Sequence, residues 1–286
     1  MSKSNLLGPN FVLIGAMKCG TSTLAAQLAT HDGVFMTTPK EPNFFSDDAI
    51  YARGEQWYSN LFADALPGDI KGEASTHYTK LPTYPHTVAR LQRYVADIKI
   101  LYVIRNPVER AVSHYIHEWS EGRMSKHPDH AFAQHREIID YGCYAMQLAP
   151  YVDTFGLENI RLTSLEQIKQ DPDRAFKEIG AFLGLPDHAS WNSDLEAQNI
   201  SSERMRKIPL QGLLIDNPVA RSLRRTLVPK SLRTWVRERR QLTRRPQIPS
   251  QLRQKMETRF LQDRSRLANL FPDHPALDLC YPFARP

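Results

Sequence analysis

An apolar run, Phe11-Val12-Leu13-Ile14, passes directly into Gly15-Ala16-Met17-Lys18-Cys19-Gly20-Thr21-Ser22-Thr23, and that segment passes into Leu24-Ala25-Ala26-Gln27-Leu28. No other stretch of the chain restricts the fold so tightly. The first run has the character of a buried strand, the last that of a helix, and a short glycine-bracketed loop joins them. A strand that feeds a helix this way begins a β-α unit of a parallel sheet. The loop also turns successive backbone N–H groups inward, and the helix N-terminus adds about half a positive charge. The segment reads as a phosphate cradle, with Lys18, Cys19, Gly20, Thr21, Ser22 and Thr23 as candidate ligands.

The rest of the chain repeats the alternation. Strand-like runs fall at residues 34–36, 70–73, 98–104 and 159–163, the third of these β-branched and almost wholly apolar. Helical stretches fall between them at 21–29, 88–94, 107–120, 144–155 and 175–183, the last closed by Gly184 and Pro186. Alternation of this kind predicts a central parallel sheet with helices on both faces. A final amphipathic helix over 250–271 carries Leu252, Met256, Phe260, Leu267 and Leu270 on its apolar face.

With 286 residues the chain has the length of one large α/β domain. Its net charge of +6 suits an anionic cofactor or substrate and is too small to call for nucleic acid. Three scattered cysteines, Cys19, Cys143 and Cys280, do not make a disulfide framework and read as reduced thiols. No stretch approaches the roughly 20 apolar residues of a membrane span. Together these give the expectation of a soluble, cytoplasmic protein.

The strand over 98–104 ends in Arg105-Asn106-Pro107. Pro107 fits the first position of a helix, which places Ser113 about two turns in. An arginine at the strand end and a serine on the next helix suit a second phosphate. Two features oppose ATP or GTP hydrolysis and a P-loop kinase. Thr21, not lysine, follows Gly20, and Arg105 stands where a magnesium-binding aspartate belongs.

In these segments the chain resembles the sulfotransferases that use 3′-phosphoadenosine 5′-phosphosulfate (PAPS), and most of all the branch of heparan sulfate sulfotransferases and their bacterial relatives. Residues 15–24 are similar to that family's 5′-phosphosulfate loop, and Tyr102 through Ser113 to its 3′-phosphate motif. Lys40-Glu41-Pro42-Asn43-Phe44-Phe45 is similar to the segment that carries a catalytic glutamate. Gly72-Glu73-Ala74-Ser75 and two stretches between Asp171 and Pro186 also match in kind. The resemblance covers roughly residues 11–186.

The resemblance implies a P-loop-like three-layer α/β fold in one sulfotransferase domain over 1–286, with a core at about 10–200 and a basic helical extension at about 217–286. It implies in-line transfer of a sulfuryl group from PAPS to an acceptor hydroxyl, carbohydrate first and a lipid or small-metabolite alcohol second, with no metal. Glu41 is then the general base and Lys18 the cation at the bridging oxygen. Arg105 and Ser113 hold the 3′-phosphate, with Arg206 as a third ligand. Lys40 and Glu73 face the acceptor, Glu73 being the rival base or a structural acceptor of hydrogen bonds. The chain departs from the heparan-acting members at Asn43, where they often have histidine, and lacks their cysteine-flanked C-terminal loop; residues 199–206 are a shorter substitute.

Several other residues take readings of their own. Cys19 sits in an electropositive loop that would lower its pKa. Phe44 and Phe45 wall the site, and Trp57, Tyr58, Tyr78 and Tyr84 are core, rim or acceptor-groove residues. His114 and His117 read as surface or acceptor-side residues, and Arg110 as basic lining or the partner of an acid. The stretch from Arg221 to Arg245 is a basic surface, either a solvated helical pair or a contact for an anionic partner. A non-catalytic binder of anionic polymer would use that stretch.

Overall fold

The computed structural model describes residues 7–95, 97–125, 127–186, 188–195 and 245–284. Arg206, the stretch 199–206 and the basic run from Arg221 up to Arg244 lie outside them. Five strands form one sheet in the order β2-β3-β1-β4-β5: β1 (Phe11–Gly15), β2 (Val34–Met36), β3 (Ile70–Ala74), β4 (Lys99–Ile104) and β5 (Ile160–Ser164). Every neighbouring pair is parallel. β1 therefore lies in the middle, and the C-terminal ends of β1, β3 and β4 open on one edge of the sheet.

The helices, in chain order, are α1 (Thr21–Leu28), α2 (Asp48–Tyr51), α3 (Glu55–Asn60), α4 (Thr87–Tyr94), α5 (Pro107–Ser120), α6 (Pro128–Gln134), α7 (Glu137–Asp140), α8 (Tyr144–Phe155), α9 (Leu165–Gln170), α10 (Pro172–Leu183), α11 (Ser250–Leu270) and α12 (Ala276–Leu279). β1 is buried along its whole length and β4 from Ile100 to Ile104, so both faces of the sheet are covered at its centre, as an all-parallel sheet requires. The expected α/β architecture is borne out, and α5 and α8 have the ends that the sequence predicts.

Local chemistry sets the boundaries. Asn106 accepts the Val108 and Glu109 amides at 3.0 and 3.2 Å and caps α5, with Pro107 in its first turn. Gly184 stops α10 in the left-handed conformation, and the Leu185 amide returns to the Gly180 carbonyl at 2.8 Å. α10 starts earlier than the periodicity indicates because Asp171 caps it through the Arg174 amide at 3.0 Å. On α11, Met256, Phe260 and Leu267 are buried as expected, and so is Asp263. Asp263 accepts the Ala145 and Met146 amides at 2.9 and 3.1 Å, which ties α11 to the start of α8.

β3 has a glycine at its centre where a side chain would crowd both neighbouring strands. A Cβ on Gly72 would stand 2.2 Å from the Phe11 ring of β1 and 2.5 Å from the Met36 sulfur of β2. The strand that carries Glu73 thus packs closely between both neighbours.

Candidate active site

Three loops meet at the open edge of the sheet. The first leaves β1. Lys18 and Gly20 adopt left-handed conformations, with φ of 70° and 87°. A Cβ on Gly20 would lie 2.9 Å from a Leu165 methyl carbon, so the loop also needs glycine for space. α1 opens at Thr21 without a side-chain cap. The amides of Thr21, Ser22 and Thr23 have no intrahelical acceptor, as in the first turn of any helix. Lys18, Gly20, Ser22 and Thr23 are partly exposed, while Cys19 and Thr21 are buried. The loop is therefore anchored by its buried members and partly open at Ser22 and Thr23, an arrangement that fits a phosphate.

Cys19 corrects an expectation. Its thiol is fully buried, 3.8 Å from the Tyr144 hydroxyl. Burial outweighs the Arg105 and Arg110 cations and pushes its pKa up to about 11 rather than down. The thiol packs the loop from behind, and its amide is taken by the Ala16 carbonyl at 3.1 Å.

The second loop carries Glu41 and hangs on the end of β3. The Glu41 amide donates to the Ala74 carbonyl at 2.9 Å. Its carboxylate accepts the Thr76 hydroxyl at 3.0 Å and pairs with Lys40 at 2.8 Å. Burial raises the Glu41 pKa, but Lys40, Thr76 and Lys80 together outweigh it and leave the carboxyl below its ordinary range. Glu41 and Asn43 both have positive φ, 61° and 54°. Such conformations cost roughly 1–3 kcal/mol each in non-glycine residues and persist only where the surroundings hold them. Here the Asn43 amide is held by the Ser75 hydroxyl at 3.1 Å. Lys18 and Glu41, the two residues nominated for chemistry, are both among the few left-handed non-glycine residues described.

Glu73 does not face an acceptor. It is fully buried and accepts hydroxyls from Tyr58 and, at 2.6 Å, from Ser75. Burial raises its pKa, and the Ser75, Tyr58 and Tyr78 hydroxyls pull it partly back. Of its two readings, the structural one describes its position. Phe44 and Phe45 likewise belong to the core, not to a site wall. Phe44 stacks on Tyr58 at 4.6 Å, and both phenylalanines contact Tyr94. Tyr58 and Tyr78 are buried with them, so neither lines a groove.

The third loop leaves β4 at Arg105. One Arg105 guanidinium nitrogen donates to the Lys18 carbonyl at 3.2 Å, which joins the two predicted phosphate elements. The Arg105 carbonyl accepts the Tyr144 hydroxyl at 2.8 Å, and the Asn106 amide donates to Glu166 at 2.9 Å. On α5, Ser113 is buried. Arg110 is fully buried and donates to the Ile138 carbonyl, so it does not line the site, and among the described residues no acid forms an ion pair with it. His114 is also buried, stacked on Tyr141 at 5.6 Å, where burial and the Arg110 and Lys80 charges hold its pKa well below the ordinary value. It is a neutral packing residue, and the surface reading fails for it.

Sequence reasoning missed Thr76, Lys80 and Tyr144. Burial, only partly offset by Glu41 and Glu118, brings the Lys80 pKa down to about 8. Beside it His77 stacks on Tyr84 at 4.7 Å, with its pKa lowered to about 4 by burial and Lys80. Thr76 opens the short 3-10 turn after β3, Thr76–Thr79, and Lys80 comes directly after that turn, which no hydrophobic period marks. Arg245 pairs with Glu109 at 2.5 Å.

Sheet order and loops together define an α/β protein whose central strand ends in a glycine-bracketed loop that opens a helix. The chain matches the sulfotransferase domain family over residues 9–245, and it belongs to that family. The resemblance to PAPS-dependent sulfotransferases is thereby borne out. Heparan sulfate glucosamine 3-O-sulfotransferase 3B1 of Mus musculus is 30% identical over 191 residues, 62% of this chain and 46% of the relative. Bifunctional heparan sulfate N-deacetylase/N-sulfotransferase 4 of Mus musculus is 26% identical over 208 residues, 65% of this chain and 23% of the relative. The chain thus spans half or less of the length of these relatives. A sulfotransferase of known structure from Alicyclobacillus acidocaldarius superposes with a TM-score of 0.68 at 25% identity, covering 95% of this chain and 99% of that one.

Proposed function

We propose that this protein transfers a sulfuryl group from PAPS to an acceptor hydroxyl on a carbohydrate, with Glu41 as general base. The observation that carries the reading is the placement of an ionised, hydrogen-bonded Glu41 at the same sheet edge as the Lys18 loop and Arg105. The carbohydrate acceptor is favoured by relatives whose names specify heparan sulfate.

The donor, when bound, supplies an activated sulfuryl group whose departure leaves a nucleotide phosphate. The first amides of α1 and the Lys18 ammonium are donors suited to the charge that develops on that phosphate. Thr21, Ser22 and Thr23 bind the same phosphate, and Arg105 with Ser113 the 3′-phosphate. Glu41 takes the proton of the attacking hydroxyl. Its lowered pKa keeps it deprotonated at neutral pH, and Lys40 and Thr76 fix its orientation. Positioning of this kind supplies most of the catalysis in such in-line transfers.

The test joins calorimetry to a transfer assay. Wild-type protein should bind adenosine 3′,5′-bisphosphate in preference to AMP, ADP and ATP, and should sulfate N-acetylated heparan backbone from PAPS. Glu41→Gln should lower transfer by about 10²–10⁴-fold with bisphosphate affinity unchanged. Full activity in that variant, or equal binding of ATP, would overturn the reading.

A further inference from the structure

The two phosphate elements lie on neighbouring strands, yet the ladder between them stops short of both. Its last register pair is Gly15 with Tyr102, and the last backbone bond is from the Ala16 amide to the Val103 carbonyl at 2.7 Å. Lys18–Thr23 on one side and Arg105 on the other project beyond that point. A nucleotide phosphorylated at two positions needs these elements at one fixed separation.

The buried hydroxyl of Tyr144 stands between them. Tyr144, the first residue of α8, is fully buried. Its hydroxyl donates to the Arg105 carbonyl at 2.8 Å, accepts the Arg105 amide at 3.4 Å and lies 3.8 Å from the Cys19 sulfur. The phenol proton goes to the Arg105 carbonyl and a lone pair takes the Arg105 amide, so one oxygen holds both peptide groups of Arg105. Its proton stays in place, since burial holds the Tyr144 pKa well above the ordinary phenol value. The ring cannot drift. It packs edge-on against Tyr102 at 6.0 Å, and the two amides that follow it are capped by Asp263 of α11.

We infer that Tyr144 is a positioning residue that sets the spacing between the 5′- and 3′-phosphate elements, and thereby selects nucleotides phosphorylated at both positions. The inference rests on the function proposed above. Arg105 is held at two levels: its side chain by the Lys18 carbonyl and its peptide groups by Tyr144. Without the hydroxyl the side-chain contact remains, but the backbone that aims it loses its anchor. The 5′-loop keeps its own ladder contacts and its helix, so a ligand without a 3′-phosphate is indifferent to the change.

The experiment is calorimetric titration of full-length wild type and Tyr144→Phe with adenosine 3′,5′-bisphosphate and with AMP. Losing one hydrogen bond of ordinary strength predicts about tenfold weaker bisphosphate binding, with AMP binding unchanged. In an Arg105→Ala background the same substitution should weaken bisphosphate binding no further. Equal weakening of both ligands would show a general packing role and overturn the inference, as would an unaltered bisphosphate affinity. If Tyr144→Phe does not fold, wild-type hydrogen exchange decides the matter. The Arg105 amide should gain protection with the bisphosphate and not with AMP, and equal gains overturn the assignment. Wild-type protein that prefers no bisphosphate defeats the proposed function itself, a result distinct from failure of the Tyr144 arm alone.

Discussion

Replacing Tyr58 by phenylalanine removes one oxygen and little volume, yet it acts on a fully enclosed carboxylate near the candidate site. The Tyr58 hydroxyl donates to Glu73, which is fully buried. A hydrogen bond to a charged group contributes roughly 1.5–3 kcal/mol net. The ring contacts with Phe44, Phe45 and Phe62 survive, so no cavity term is added. Glu73 keeps Ser75 at 2.6 Å, which limits the loss to about 2 kcal/mol at pH 8. For a chain of this size that is a fall in Tm of roughly 4–8 °C.

The pH dependence gives the sharper prediction. Burial raises the folded Glu73 pKa above the ordinary 4.5, although Ser75, Tyr58 and Tyr78 oppose the rise. Between 4.5 and the raised value the native state binds more protons than the unfolded chain, so stability falls as pH rises through that window and is level above it. Removing the Tyr58 donor raises the folded pKa further and deepens that fall. The deficit of Tyr58→Phe should therefore be near 2 kcal/mol at pH 8 and clearly smaller at pH 4, where Glu73 is mostly protonated in both states. Urea titrations of both proteins at the two pH values measure it. An equal deficit at both, or one under about 0.5 kcal/mol at pH 8, would refute an ionised, Tyr58-bound Glu73.

Two further outcomes follow from packing. The three thiols are buried, with pKa raised to about 11 at Cys19, about 12 at Cys143 and well above the ordinary value at Cys280; native protein at pH 8 should leave a thiol reagent unconsumed, and denatured protein should react at all three, whereas prompt native labelling would contradict the burial. Gly72→Ala places a methyl 2.2 Å from the Phe11 ring and should cost about 1–3 kcal/mol in denaturant titration; a neutral result would mean that β1 and β2 yield easily around β3.

The strands and long helices were legible because their signals are local. An apolar run before a glycine loop, and asparagine before proline at the head of α5, fix structure within a few residues. Glu41 and Lys18 were singled out through motif similarity, not through any period in the chain. What escaped depended on contacts distant in sequence. Glu73 looks like an ordinary strand-end carboxylate until Tyr58 and Ser75 close over it. Cys19 lies among cations along the chain, but its burial decides its pKa. Lys80 and Tyr144 carry no signal in sequence, since each acquires its surroundings from other elements: Tyr141 of the α7–α8 turn beneath the Lys80 ammonium, Arg105 against the Tyr144 hydroxyl. The short helices α6 and α7, within the region 121–141, fell below the length at which periodicity can be read.

The strand order has an implication for how such a protein can change. β1 carries the phosphate loop at the centre, with β3 and the Glu41 loop on one flank and β4 with Arg105 on the other. Between β2 and β3 the buried Phe44, Phe45, Tyr58 and Phe62 are fixed by packing, so change there is confined to exposed positions such as Leu66. Exchange at those positions alone amounts to refitting the socket while leaving the plug untouched. The fixed seam is β1, and such changes stay on the flank away from Arg105.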